Sequence, residues 1–241
     1  MTRARELYRE GKLTEAIQTL QSYLRDRPSD ASARIFLFEL LCFAGEFVRA
    51  ARQLNALGGG EGDYGNLIRL YGSALEAEQT RQDAALTELS PEDLSPVSCR
   101  VDGHAFSRLT DADERLGPRL EFIGAAEFHR IPFRYLSRIE IAAPANLRDL
   151  YFLPAKVETG PELDGFSFEQ VFLPCLYAGS FLCDDELLKL GRTTEWFSQE
   201  DGSVRLAGLR LLVADGEEIA LTDIRTIDFG RDAAEASGEN E

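Results

Sequence analysis

The sequence predicts an α+β protein in which paired helices come first and a mostly antiparallel, strand-rich part follows. Three observations carry this. Residues 1–90 are rich in Ala, Leu, Arg and Glu with a single proline, Pro28, whereas from residue 97 onward Phe, Ile, Val and Pro recur every few positions, a change from helical to strand periodicity. Charge changes at the same place: residues 1–90 hold 11 basic and 13 acidic side chains and residues 91–241 hold 15 and 29, so most of the net charge of −16 belongs to the second part. Finally, the first part repeats itself with a period of 34 residues, which pairs Leu7 with Leu41, Gly11 with Gly45, Ala16 with Ala50 and Leu20 with Leu54.

Within each repeat a glycine permits the tight turn between two helices, and an alanine lets them approach closely. The first pair joins at Gly11, and its second helix carries Leu13, Ile17, Leu20 and Leu24 on one face before ending at Pro28. The second pair, ASARIFLFELLCFAGEFVRAARQLNALGGG, turns at Gly45 and is stopped by Gly58, Gly59 and Gly60. A 34-residue period built this way is tetratricopeptide-like. A third helix over residues 66–86, with Leu67, Leu70, Ala74, Ala77 and Ala85 on its apolar side, leaves the register and is expected to cap the stack or to receive the second part. SPEDLSP, residues 90–96, reads as a proline-bounded linker.

The second part offers RLEFIG, EFHRIPFRYL, SRIEIAAP, DLYFLPAKVE, FSFEQVFLPCLY, VRLAGLRLLVADG and EEIALTDIRTIDFG as strands, six to eight in all. Most connections are too short for a helical crossover, hence antiparallel pairing. Asp215-Gly216 supplies the positive φ angles of a hairpin, and DDELLKLG is one short helix capped by Asp184 or Asp185 and ended near Gly191. The domain reading is therefore 1–90 helical repeats, 97–230 strand-rich, and 231–241 a disordered acidic tail.

Composition excludes several function classes. The charge repels phosphate backbones and anionic lipids, so neither nucleic acid nor membrane is an expected partner. No apolar run is long enough to span a bilayer, and MTRARELYREGK lacks the apolar core of a secretory leader, which points to the cytoplasm. Cys42, Cys99, Cys175 and Cys183 form no CxxC pair and read as reduced, buried thiols.

Candidate chemistry is sparse. His104 and His129 belong to no metal motif, and GGGEG lacks the strand before it and the GK[ST] ending of a phosphate loop. Asp111, Asp113 and Glu114 alternate like calcium ligands but lack the glycine and glutamate of such a loop, and read as an Asp-rich turn with Arg115 as ion partner. A hydrolase using Asp111 or Asp113 with His104 is the enzymatic alternative; it has no assembled nucleophile or oxyanion donor. No catalytic residue, metal or cofactor is expected. Arg148 and Asp149 sit beside strand residues, and Trp196, flanked by Arg192 and Glu195, reads as a core plug with a charged rim.

Taken together, ARIFLFELLCFAGEFVRAARQLNAL, DGHAFSRLTDADERLGPRLEFI, IPFRYLSRIEIAAPANLRDLYFLPAKV and LPCLYAGSF with LGRTTEW resemble, in that order, the ImpE/TagJ (SciE-type) family of type VI secretion accessory proteins. The resemblance implies a non-enzymatic cytoplasmic adaptor that binds the small contractile-sheath subunit through that subunit's N-terminal helix and assists the AAA+ ATPase that dismantles contracted sheaths. A structural component of baseplate or sheath is the alternative role. Where relatives carry further helical sequence before the DGHAF segment, this chain has only SPEDLSPVSCR. In tetratricopeptide-like pairs the first helix of each repeat lines the concave face, which by the 34-residue register presents Arg5, Tyr8 and Arg9, then Ser32, Ile35, Glu39 and Cys42. Arg5, Tyr8, Arg9, Ile35 and Glu39 are the expected partner-binding residues, an apolar floor with a charged rim suited to an amphipathic helix.

Overall fold

Two helix pairs, each turned at a left-handed glycine, open the chain. The computed structural model describes residues 1–59, 64–84, 95, 97–198 and 204–230. Helices α1 (Thr2–Arg9) and α2 (Leu13–Asp26) turn at Gly11, φ 83°, and α3 (Ala31–Phe43) and α4 (Phe47–Asn55) turn at Gly45, φ 69°. The 34-residue period of the sequence is thus a period of the structure. Asp30 caps α3 by accepting the Ala33 amide at 2.9 Å. Every residue of α3 from Phe36 to Phe43 is buried, because α3 is the central helix, flanked by α2 and α4.

Helix α5 (Gly65–Ala84) lies between α4 and the strands. Its buried side is Tyr71, Ala74, Leu75, Ala77, Glu78, Arg81 and Gln82, displaced from the side expected from apolar residues alone, since three polar residues enter the interior as a bonded set. Ala85, Leu86, Gly60, the tail 231–241 and, apart from Ser95, the linker 90–96 lie outside the described residues.

Among the described residues twelve strands follow rather than six to eight. They are β1 (Val97–Val101), β2 (His104–Asp111), β3 (Arg119–Gly124), β4 (Glu127–Pro132), β5 (Leu136–Ile141), β6 (Phe152–Thr159), β7 (Ser167–Pro174), β8 (Thr194–Ser198), β9 (Val204–Gly208), β10 (Leu211–Ala214), β11 (Glu217–Ala220) and β12 (Thr226–Phe229). VRLAGLRLLVADG splits because Gly208, at φ 101°, ends β9 in one sheet before β10 begins in another. EEIALTDIRTIDFG likewise divides into β11 and β12, and Asp102-Gly103, both at positive φ, folds β1 and β2 into a hairpin. Asp215-Gly216 joins β10 to β11, and the short helix α6 (Glu186–Lys189) is capped by Asp185.

All pairings between named strands are antiparallel. Ten strands form one sheet in the order β11-β10-β2-β1-β12-β5-β6-β7-β3-β4, and β8 and β9 form a separate ribbon. Strands β10 and β3 stand seven positions apart, about 34 Å across a flat sheet at ~4.8 Å per strand. Yet Arg210, next to β10, reaches Glu121 of β3 at 3.3 Å, so the sheet curls back on itself. Alternation divides its faces: Phe122, Leu153, Val171 and Leu173 join the core inside the curl, whereas Ile123, Phe152 and Phe172 turn outward into the helical core. Trp196 is not a core plug; it stands 51% exposed on β8, because that ribbon lies outside the large sheet.

Candidate functional site

Helical spacing collects the expected residues. Arg5, Tyr8 and Arg9 fall at i, i+3 and i+4 on α1, and Ser32, Ile35, Phe36 and Glu39 share one face of α3. Together with Asn146, Leu147 and Arg148 they enclose a cleft of about 390 Å³. Phe36 forms its floor, edge-on to Tyr8 at 6.1 Å and under the Arg5 guanidinium at 5.6 Å. Cys42, expected to line the same face, is instead buried, because it lies a turn deeper along α3 where α5 and the strands cover the helix, and burial pushes its thiol pKa well up.

The third wall comes from the strand-rich part. Leu147–Leu150 is a single 3-10 turn held by a capping box, in which Asp149 accepts the Asn146 amide at 2.8 Å. That turn aims Arg148 at α3, where Nη1 donates to Glu39 at 3.0 Å and the guanidinium lies 5.6 Å from the Tyr71 ring. Burial raises the Glu39 pKa, with Arg148 opposing. The polar pair Arg148-Asp149 was visible in the sequence, but nothing there placed it opposite Glu39, a contact spanning 109 residues.

Two further contacts fix α1 and α2 against the second part. Arg192 stacks on Tyr8 at 4.8 Å and donates to the carbonyls of Arg9 and Tyr8 at 2.8 and 2.5 Å, satisfying the C-terminal end of α1. Glu186 accepts the Thr14 amide at 2.9 Å, placing a carboxylate at the N-terminal end of α2.

The enzymatic alternative does not assemble. His104 begins β2 exposed to solvent and Asp111 ends it buried, about 23 Å away along the strand at ~3.3 Å per residue. A hollow of about 590 Å³ is lined by Asp111 and Glu114 among others, without His104. Asp113 is taken up by Arg115 at 2.5 Å and by the backbone of its own turn. His129 stacks on Phe122 at 4.9 Å and donates to the Gly124 carbonyl. Among the described residues, no group of His, Cys, Asp and Glu side chains is arranged to hold a metal ion.

Asp111 belongs to a buried ionic chain that sequence reasoning missed. Glu78 pairs with Arg81, Arg81 with Glu121, Glu121 with Arg210, and Arg210 with Asp111 at 2.7 Å. Burial alone would push the Glu121 carboxyl up, but Arg210, Arg81 and Arg130 together hold it below the ordinary range. Burial pushes Asp111 up to about 6 against the pull of Arg210. A carboxyl whose folded pKa is raised binds more protons when folded, so its stabilising contribution is complete below about pH 4 and is lost as pH rises through about 6. Asp111→Asn mimics the protonated acid and lacks the titration. The advantage of the native chain over this variant is therefore expected to grow by on the order of 2 kcal/mol as pH falls from 7 to 4, measured by urea unfolding of both across that range; a pH-independent difference would refute it.

Comparison with known proteins places these features in context. The sequence profile described as ImpE protein matches residues 103–228, and a tetratricopeptide repeat profile matches residues 7–63. The chain is 32% identical to the "Type VI secretion system accessory component TagJ" of Pseudomonas aeruginosa, over 94% of this chain and 90% of that protein. Its fold is similar to the crystal structure of protein VPA1032 from Vibrio parahaemolyticus, with a TM-score of 0.83 and 20% identity, covering 95% of this chain and 98% of the other. No helix among the described residues is long and apolar enough to cross a membrane.

Proposed function

The chain belongs to the ImpE family, and on that premise we propose that it is a non-enzymatic, cytoplasmic accessory protein of a bacterial type VI secretion system. In this reading it is an adaptor in which residues 1–90 supply the groove and residues 97–230 complete it. The occupant is the N-terminal helix of the small contractile-sheath subunit, and its capture assists sheath assembly or disassembly by the AAA+ ATPase. The observation that carries the reading is the cleft itself: Arg5, Tyr8, Arg9, Ile35 and Glu39 converge around the Phe36 ring between α1 and α3. An apolar floor bounded by charges is what an amphipathic helix requires.

The test is a binding titration of the full chain with a peptide of that sheath-subunit helix, against the Ile35→Asp, Arg9→Glu double variant. Both side chains are at least partly exposed, so the fold is expected to survive, which circular dichroism checks. Affinity should fall at least about tenfold, since a carboxylate on the floor cannot be desolvated against an apolar face. Undiminished binding by the folded variant would move the site elsewhere, with the acidic strand-rich part as the next surface to probe.

A further inference from the structure

Charge in the groove is opposite in sign to the charge of the molecule. Arg5 and Arg9 stand one turn apart on α1, about 6 Å along its axis, and among the described residues neither has a carboxylate within ion-pair distance. Arg148 has one carboxylate partner, Glu39, and lies against the Tyr71 ring; its buried Nε has no hydrogen-bond partner. A chain of net charge −16 has thus gathered three guanidiniums and one carboxylate around an apolar floor. Positive potential confined to a cleft within an acidic surface focuses on anionic partners and turns away basic ones.

We infer that the groove selects an acidic amphipathic helix, whose apolar side chains seat on Phe36 while carboxylates four residues apart on the same side meet Arg5 and Arg9. The inference rests on the helix-docking reading above and adds the chemistry of the occupant. The spacing follows from geometry, since side chains at i and i+4 of a partner helix repeat at the same ~6 Å as Arg5 and Arg9 do on α1. Arg148 then supplies a third contact from the strand-rich part, where its guanidinium can donate to a carboxylate alongside Glu39.

The experiment uses the full chain and two fluorescent 18-residue helical peptides with one common leucine face. One carries Glu at paired i, i+4 flanking positions and the other carries Gln there. Anisotropy titrations at low salt should show the Glu peptide binding at least about tenfold tighter, with the advantage shrinking as salt rises. The Arg5→Gln, Arg9→Gln double variant, altered at two exposed positions, should lose that advantage, so that the Glu and Gln peptides bind it with equal affinity. Equal affinity for the two peptides, with both lost in the Ile35→Asp variant, would overturn the charge inference and leave the groove reading standing. Binding of both peptides undiminished by Ile35→Asp, or binding of neither, would count against both.

Discussion

Replacing Arg81 by methionine is expected to lower the unfolding free energy by roughly 3–5 kcal/mol, the cost of leaving a buried charge without its partner. Arg81 is 1% exposed and makes four contacts that methionine cannot: two to Glu78 at 2.8 Å, one to Glu121 at 3.3 Å and one to the Leu176 carbonyl at 3.1 Å. Glu121 keeps Arg130 and Arg210 after the change. Glu78, fully buried, keeps only neutral donors, the Tyr151 hydroxyl at 2.9 Å and the Gln82 amide at 2.7 Å. Adding Glu78→Gln should therefore recover part of the loss, because removal of both charges of a buried pair costs less than removal of one. Urea denaturation of the two variants and the native chain checks this; a loss below about 1 kcal/mol for Arg81→Met, or no recovery in the double variant, would show that the chain is not held together by this ion pair. The consequence reaches the groove. Glu78, which Arg81 holds in place, accepts the Tyr151 hydroxyl directly after the turn that carries Arg148, so the same substitution should loosen the third wall.

The division between helical repeats and strands was legible because each half obeys a single period. Gly11 and Gly45, with alanines five residues on, state the helix turn and the close approach in four residues, and Asp215-Gly216 states its hairpin in two. What was not legible depended on contacts made across the curled sheet. Arg210 looked like one more residue in an apolar run, and only closure of the sheet brings it to Asp111 and Glu121. Trp196 misled for a related reason: the size of a lone tryptophan argues for the core, but the ribbon of β8 and β9 leaves the sheet, and one face of a two-stranded ribbon stays in solvent. In the candidate groove, the helical side followed from the 34-residue register. The Leu147–Leu150 wall did not, since no local pattern records which turn of a distant strand connection will face α3.

Equivalent positions in the two repeats should respond unequally to the same mutation, and the difference reports how the halves are joined. Gly45→Ala is expected to destabilise by about 3–5 kcal/mol, whereas Gly11→Ala should cost about 1–2 kcal/mol. Both glycines hold positive φ, so both variants pay the strain of a left-handed alanine. The neighbours differ. A Cβ at Gly11 would meet Leu187 Cδ2 at 2.7 Å, the tip of a 41% exposed side chain that can turn aside. At Gly45 a Cβ would overlap the Phe181 ring itself, which is packed edge-on to Phe47 at 6.1 Å, while Phe47 in turn meets Tyr151 at 6.3 Å. Relief there requires moving the whole half-buried ring away from Phe47 of α4, a larger displacement than turning the tip of an exposed leucine. Thermal and urea unfolding of the two single variants decides the matter. Equal losses would mean that the turn geometry alone is costly, and that the junction at Phe181 yields as easily as the exposed leucine does. Unequal losses would identify the Gly45 turn as the place where the second repeat is locked to the strands, which is also what holds α3, with Ile35 and Glu39, opposite Arg148.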